Sequence, residues 1–234
     1  MILGSRRFIH MGINYVVLPT FLVNKEASLK LQQSLMSAGV EFTGCAREGN
    51  RITVNRKAPF PLEVRVAAPI SQPQPFGQIL VLAPSSEWTL VNFCSDIEAI
   101  IQAFTETWPS QNRQIVSCDT TLRCLYQSTS EHAFQELWEK RLSQPPDSLS
   151  ILERKVLGGG LRFVMPPKPG DPEPTQVEVK IESFLTDTKK IFVEVQFTWP
   201  APQPRASFGP TKRLNQVNDY IVNQVHAFMK EEES

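Results

Sequence analysis

The chain has 234 residues, 41% apolar and 21% charged, and its 24 Lys plus Arg balance 24 Asp plus Glu. That is enough chain to bury a substantial core, as one large domain or two small ones, and it carries no overall field of the kind that gathers nucleic acid or an anionic membrane. No apolar run approaches the roughly 20 residues that cross a bilayer, and Met1-Ile2-Leu3-Gly4-Ser5-Arg6-Arg7 lacks the continuous apolar stretch of a secretion signal. The four cysteines (Cys45, Cys94, Cys118 and Cys124) show no framework spacing. Together these features are expected of reduced thiols in a cytoplasmic protein.

The elements read as follows along the chain. Residues 7–23 are rich in β-branched and aromatic side chains and predict a strand. Asn24 is placed to cap a helix over about residues 25–38, which Gly39 ends in the conformation that a helix C-terminus favours. Three strands are expected at 51–55, 62–67 and 77–82, separated by the proline-bearing connectors 57–61 and 69–75. Ser95 and Glu98 have capping-box spacing, and Ile97, Ile100, Ile101, Phe104 and Trp108 form an apolar stripe that Pro109 closes. A strand follows at 114–126. Ser130 is placed to cap a short helix that ends at Pro145-Pro146, and 149–157 fits helix and strand equally. Gly158-Gly159-Gly160 then leads into a strand over 161–165.

The clearest pattern lies between Gln176 and Trp199. Val177, Val179 and Ile181 alternate with Glu178, Lys180 and Glu182, and after a turn at 186–190 Val193, Val195, Phe197 and Trp199 alternate with Glu194, Gln196 and Thr198. Successive strand side chains face opposite sides, so this is a long antiparallel hairpin with one dry and one wet face. A proline-rich link at 200–204 precedes a last helix carrying Leu214, Val217, Ile221, Val225 and Phe228. Its acidic end, Glu231-Glu232-Glu233, opposes the helix dipole and is expected to fray or to need a partner. The sum is an α+β fold: a mainly antiparallel twisted sheet with about four helices on one face, in two β-α-β-β-type halves. The expected division is 1–84 and 85–234, the second half holding hairpin 176–199 and closing helix 211–231, with the two able to form one continuous domain.

A search for chemistry finds little. His10, His132 and His226 have no partner at metal-site spacing, and the cysteines have no adjacent base, so no catalytic residue, metal or cofactor is assigned. The three glycines precede a strand, whereas a phosphate loop should open a helix; a bulge or a close backbone approach explains them better. Glu178, Glu182 and Glu194 alternate with neutral or basic residues, as on a solvated sheet face. Arg123 and Arg162 stand out because apolar residues flank both, and a partly buried guanidinium needs a carboxylate, a carbonyl or a ligand anion.

The strand ending Leu122-Arg123-Cys124-Leu125-Tyr126, the Phe184-Leu185 hairpin and the final helix with Leu214, Ile221, His226 and Phe228 resemble a sporadically distributed bacterial family. In that family a leucine-arginine-aromatic strand precedes a β-rich second half and a closing helix; here Cys124 stands in the aromatic position. The resemblance covers about the last 120 residues and implies a bacterial origin and this fold, with no catalytic residues. The expectation is a non-enzymatic binding or assembly protein of a bacterial complex, acting on a protein partner or as a homo-oligomer, with no nucleic acid and no membrane. The alternative is a small-molecule or nucleotide sensor with an anion pocket at Arg123, Arg162 and Gly158–Gly160, centred on Gly159. An enzyme using Cys or His is the third reading.

Overall fold

The computed structural model describes residues 1–68, 76–84, 88–200 and 208–230. In chain order the elements are β1 (Ile2–Leu18), α1 (Lys25–Ser37), β2 (Gly44–Glu48), β3 (Arg51–Arg56), β4 (Leu62–Ala67), β5 (Gly77–Ala83) and α2 (Leu90–Thr107). Then come β6 (Gln114–Gln127), α3 (Ala133–Gln135) running on as a π-helical turn (Glu136–Arg141), and a 3₁₀ segment (Pro146–Leu152). The chain closes with β7 (Gly160–Met165), β8 (Gln176–Ser183), β9 (Lys190–Trp199) and α4 (Pro210–Tyr220), which continues through a π-helical turn (Ile221–Val225) into α5 (His226–Met229).

The nine strands of the described residues form one antiparallel sheet in the order β2-β3-β4-β5-β1-β6-β9-β8-β7. Alternation produces it. Met11, Ile13, Tyr15 and Val17 on β1, Leu122 and Cys124 on β6, and Val193 and Val195 on β9 are all buried on one face. Phe93, Ile97, Ile100 and Phe104 of α2 join them there, as do Leu214 and Val217 of α4, in a single core. Each fully buried Ile or Phe contributes about 1.5–3 kcal/mol, so this face holds the helices down. Most residues of opposite parity are half-exposed, and polar pairs carry that surface.

Several local expectations are corrected. The helix beginning at Leu90 is capped by Thr89, whose hydroxyl accepts from the Asn92 N–H at 3.2 Å. Ser95 and Glu98 therefore sit inside it and form no capping box. α3 is capped by His132, whose Nδ1 accepts from the Phe134 N–H, and not by Ser130. β2 is an additional strand, short and polar, and 149–157 is neither helix nor strand beyond the 3₁₀ segment. Asn24 does cap α1, accepting from the Ala27 N–H at 2.8 Å. The 69–75 connector, residues 201–204 of the proline-rich link and the acidic Glu231–Glu233 lie outside the described residues.

The topology repeats. β1-α1-β3-β4-β5-α2 and β6-α3-β7-β8-β9-α4 have the same order and the same pairings, and the two halves meet along the antiparallel β1–β6 ladder, from Ile2 opposite Gln127 to Leu18 opposite Gln114. In this match α2 follows β5 as α4 follows β9. One element breaks the match. β2 has no counterpart, and its place in chain order is held by the 3₁₀ segment, where Pro145-Pro146 oppose a strand.

Candidate functional site

Arg123 and Arg162 lie on the open face of the sheet, three strands apart, at the two ends of one ladder of charge. Arg123 Nε donates to Glu194. Lys180 Nζ bonds Glu194 at 2.6 Å and approaches Glu178 at 3.2 Å, and Arg162 holds Glu178 at 2.9 Å. Register makes this possible: Arg123 faces Glu194 across β6–β9, Glu194 faces Lys180 across β9–β8, and Lys180 faces Arg162 across β8–β7. Burial by itself would raise the Glu194 carboxyl, but its bonds from Lys180 and Arg123 prevail and hold it below the usual carboxylate range. The Arg162 hydrogen bond depresses Glu178, and Glu194 raises the Lys180 ammonium. Three cations against two carboxylates leave a single positive charge.

Both guanidinium groups thus have protein carboxylates as partners, and the anion pocket rested on their being free. Gly159 does not turn toward them. Its N–H donates to Ser183 Oγ at 3.0 Å, and its carbonyl accepts from the Ser183 N–H. A Cβ on Gly160 would overlap the Ile181 carbonyl oxygen, and one on Gly159 would press on Phe134. The glycines let the chain pass close beneath β8 and build no phosphate cradle.

The thiols and imidazoles are equally committed. Burial pushes Cys118 and Cys124 up to about 12 and raises Cys45 and Cys94, so the thiolate that a nucleophile needs is suppressed. His226 Nε2 lies 2.9 Å from the Tyr126 hydroxyl, and burial lowers both His226 and His10. Among the described residues no group of three or more His, Cys, Asp or Glu side chains is arranged to hold a metal ion.

The distinctive surface is the β7 edge of the sheet. Among the described residues β7 pairs only with β8. The Ser183 N–H bond to the Gly159 carbonyl fixes which groups face inward, and since backbone polar groups alternate sides along a strand, the N–H and C=O of Gly160, Arg162 and Val164 point away from the sheet. Phe163 and Val164 are 38% and 55% exposed. Beside them runs an apolar groove of about 460 Å³ between β7, β8 and the closing helix. Phe163 stacks edge-on against Phe228 at 5.5 Å, Arg141 lies over the Phe228 ring at 4.2 Å, and the Tyr220 hydroxyl meets Met165 Sδ at 3.4 Å. The approach to β7 adds Ile151 (83% exposed), Leu152 (57%) and Leu157 (62%). Exposed apolar side chains and a groove beside outward-facing backbone mark an interaction site.

Sequence reasoning placed the 161–165 strand but did not identify it as an edge. The usable signal was the pair of proline runs on either side, Pro145-Pro146 and Pro166-Pro167, since prolines border edge strands. No family model matches the chain, and no curated protein matches it either.

Proposed function

We propose that this protein is a non-enzymatic binding or assembly protein that works through the β7 edge. The observation carrying this reading is the coincidence, on one strand, of outward-facing backbone groups at Gly160, Arg162 and Val164 with exposed Phe163 and Val164. Strand addition takes affinity from main-chain hydrogen bonds and specificity from neighbouring side-chain pockets; the Phe228–Tyr220 groove is such a pocket. The engagement of Arg123 and Arg162 with Glu194 and Glu178 favours this reading over a ligand sensor. The resemblance to the sporadic bacterial family favours an accessory role in a bacterial complex.

The test is affinity capture from host extract with the wild-type chain and two proline variants. Val164→Pro removes an outward N–H while keeping the β7–β8 ladder. Arg47→Pro does the same on β2, where Ala46 and Glu48 face β3 and Arg47 faces out. A partner held by the wild type and by Arg47→Pro, and lost by Val164→Pro, supports the reading. Equal retention by all three would remove it.

A further inference from the structure

The two halves of the sheet say what belongs on the free edge. β7 is the counterpart of β3, and on β3 that position is filled by an antiparallel strand, β2. In the second half that place in chain order is held by the 3₁₀ segment, and no other described residue pairs with the outer side of β7. The geometry points to a second copy of this chain, docked β7 to β7 about a two-fold axis. The inference rests on the assembly reading above and names its partner.

The register of such a pair is tightly limited. A two-fold axis normal to the sheet keeps both helix layers on one side, so only residues of equal parity face each other. Centring on Arg162 sets guanidinium against guanidinium, a like-charge pair. Centring on Val164 brings Arg162 opposite the partner's Pro166, which has no N–H to give. Centring on Phe163 keeps the two arginines apart and gives Arg162 a partner with an N–H; only Gly160, at the end of the strand, falls opposite the partner's Pro166. Phe163 meets its own copy, Leu161 meets the partner's Met165, and Arg162 meets the partner's Val164. The outward N–H and C=O of Arg162 then pair with those of the partner's Val164, and each Arg162 keeps its own Glu178. The charges at the junction are thus compatible in this register.

Packing agrees with hydrogen bonding. The helix-side row Leu161–Phe163–Met165 is apolar throughout, so the joined edges place apolar side chains against apolar side chains. The two Phe163–Phe228 grooves meet at the axis and form one continuous floor. A stable dimer buries roughly 800 Å² per partner, more than one short strand pair supplies. The grooves beside β7, lined by Phe163, Val179, Val225 and Phe228, extend the contact beyond it.

The experiment uses the full chain with Cys45→Ser, which removes the one cysteine that is not fully buried. Mass is followed against concentration by sedimentation, and engineered thiols are joined by copper–phenanthroline, which takes up the two electrons as two thiols become one disulfide. Opposed residues of a non-hydrogen-bonded antiparallel pair lie about 4.5 Å apart at Cα, within disulfide reach. Phe163→Cys is therefore expected to give a covalent dimer. Leu161→Cys alone should not, while Leu161→Cys with Met165→Cys should. Val164→Pro should sediment as a monomer with an unchanged circular dichroism spectrum. A wild type that stays monomeric at every concentration overturns the inference, as does Phe163→Cys crosslinking no better than Leu161→Cys. If a heterologous partner is still captured through β7 by a chain that never self-associates, the second copy is excluded and the assembly reading survives. Should Phe163→Cys fail to fold, the double variant reports the same register.

Discussion

The two ends of the sheet are built from matching strands and finished differently. At one end β3 is covered by β2, whose Gly44, Ala46, Arg47 and Glu48 are exposed and small or charged. Short length and charge are how an edge is kept from pairing. At the other end β7 has no further strand beside it among the described residues, carries exposed Phe163 and Val164, and lies beside an apolar groove. The same local architecture therefore yields a finished edge and an unfinished one, and the single missing hairpin strand makes the difference. Interaction potential in this fold depends on how each half ends; both halves share the centre.

Five substitutions sharpen that contrast. The largest effect belongs to the shared centre. Leu122→Ala, fully buried on β6, should cost about 2–5 kcal/mol and lower both halves in a single cooperative transition, read by denaturant unfolding with probes in each half. Two separate transitions would show that the halves are independent. Next, Gly160→Ala and Gly44→Ala divide the edges. At Gly160 the new Cβ meets backbone of β8 and should cost about 1–3 kcal/mol; at Gly44 nothing lies within 4 Å, and the melting temperature should hold or rise slightly.

Glu194→Gln tests the ladder on the open face. Glu194 is buried, but Arg123 and Lys180 are 42% and 30% exposed, so water takes over part of their charge. The loss should be about 1–2 kcal/mol, between the values for exposed and buried pairs. The pH sign follows from the depressed Glu194 carboxyl. Its contribution is fully present above the unfolded carboxylate value of about 4.3 and is lost as pH falls through the lower folded value. Acid titration of stability should therefore show a shallower loss in Glu194→Gln than in the wild type. The raised Lys180 ammonium acts at the other extreme: its contribution holds below the unfolded lysine value of about 10.4 and disappears as pH rises through the folded one. The smallest change in fold stability is expected of Val164→Lys, within about 0.5 kcal/mol. Its effect belongs to association, where a lysine on the edge should abolish pairing.

Local pattern made much of this fold readable. The hairpin of β8 and β9, the Asn24 cap and the helix-face stripes come from residues near one another in sequence, and alternation or capping chemistry specifies them directly. β2 was missed because Gly44-Cys45-Ala46-Arg47-Glu48 has no apolar alternation, and its strand character comes from pairing with β3. The candidate site was legible only as two conspicuous arginines. Their partners depend on strand order: Glu194 reaches Arg123 because β9 lies beside β6, although the residues are 71 apart in sequence. The free edge was hidden for the same reason. Whether a strand is central or terminal is a property of the whole sheet, and no window along the chain contains it.

The place of β1 has a consequence for synthesis. One neighbour, β5, ends at Ala83, and the other, β6, ends at Gln127. At about 5–20 residues per second the nascent chain spends roughly 2–9 s with the first half able to close and β6 not yet made. During that interval the future middle of the molecule is its outermost strand. A chaperone that shields β1 on the ribosome would guard this protein at its most vulnerable moment, and a chain truncated before residue 114 would leave that strand permanently uncovered.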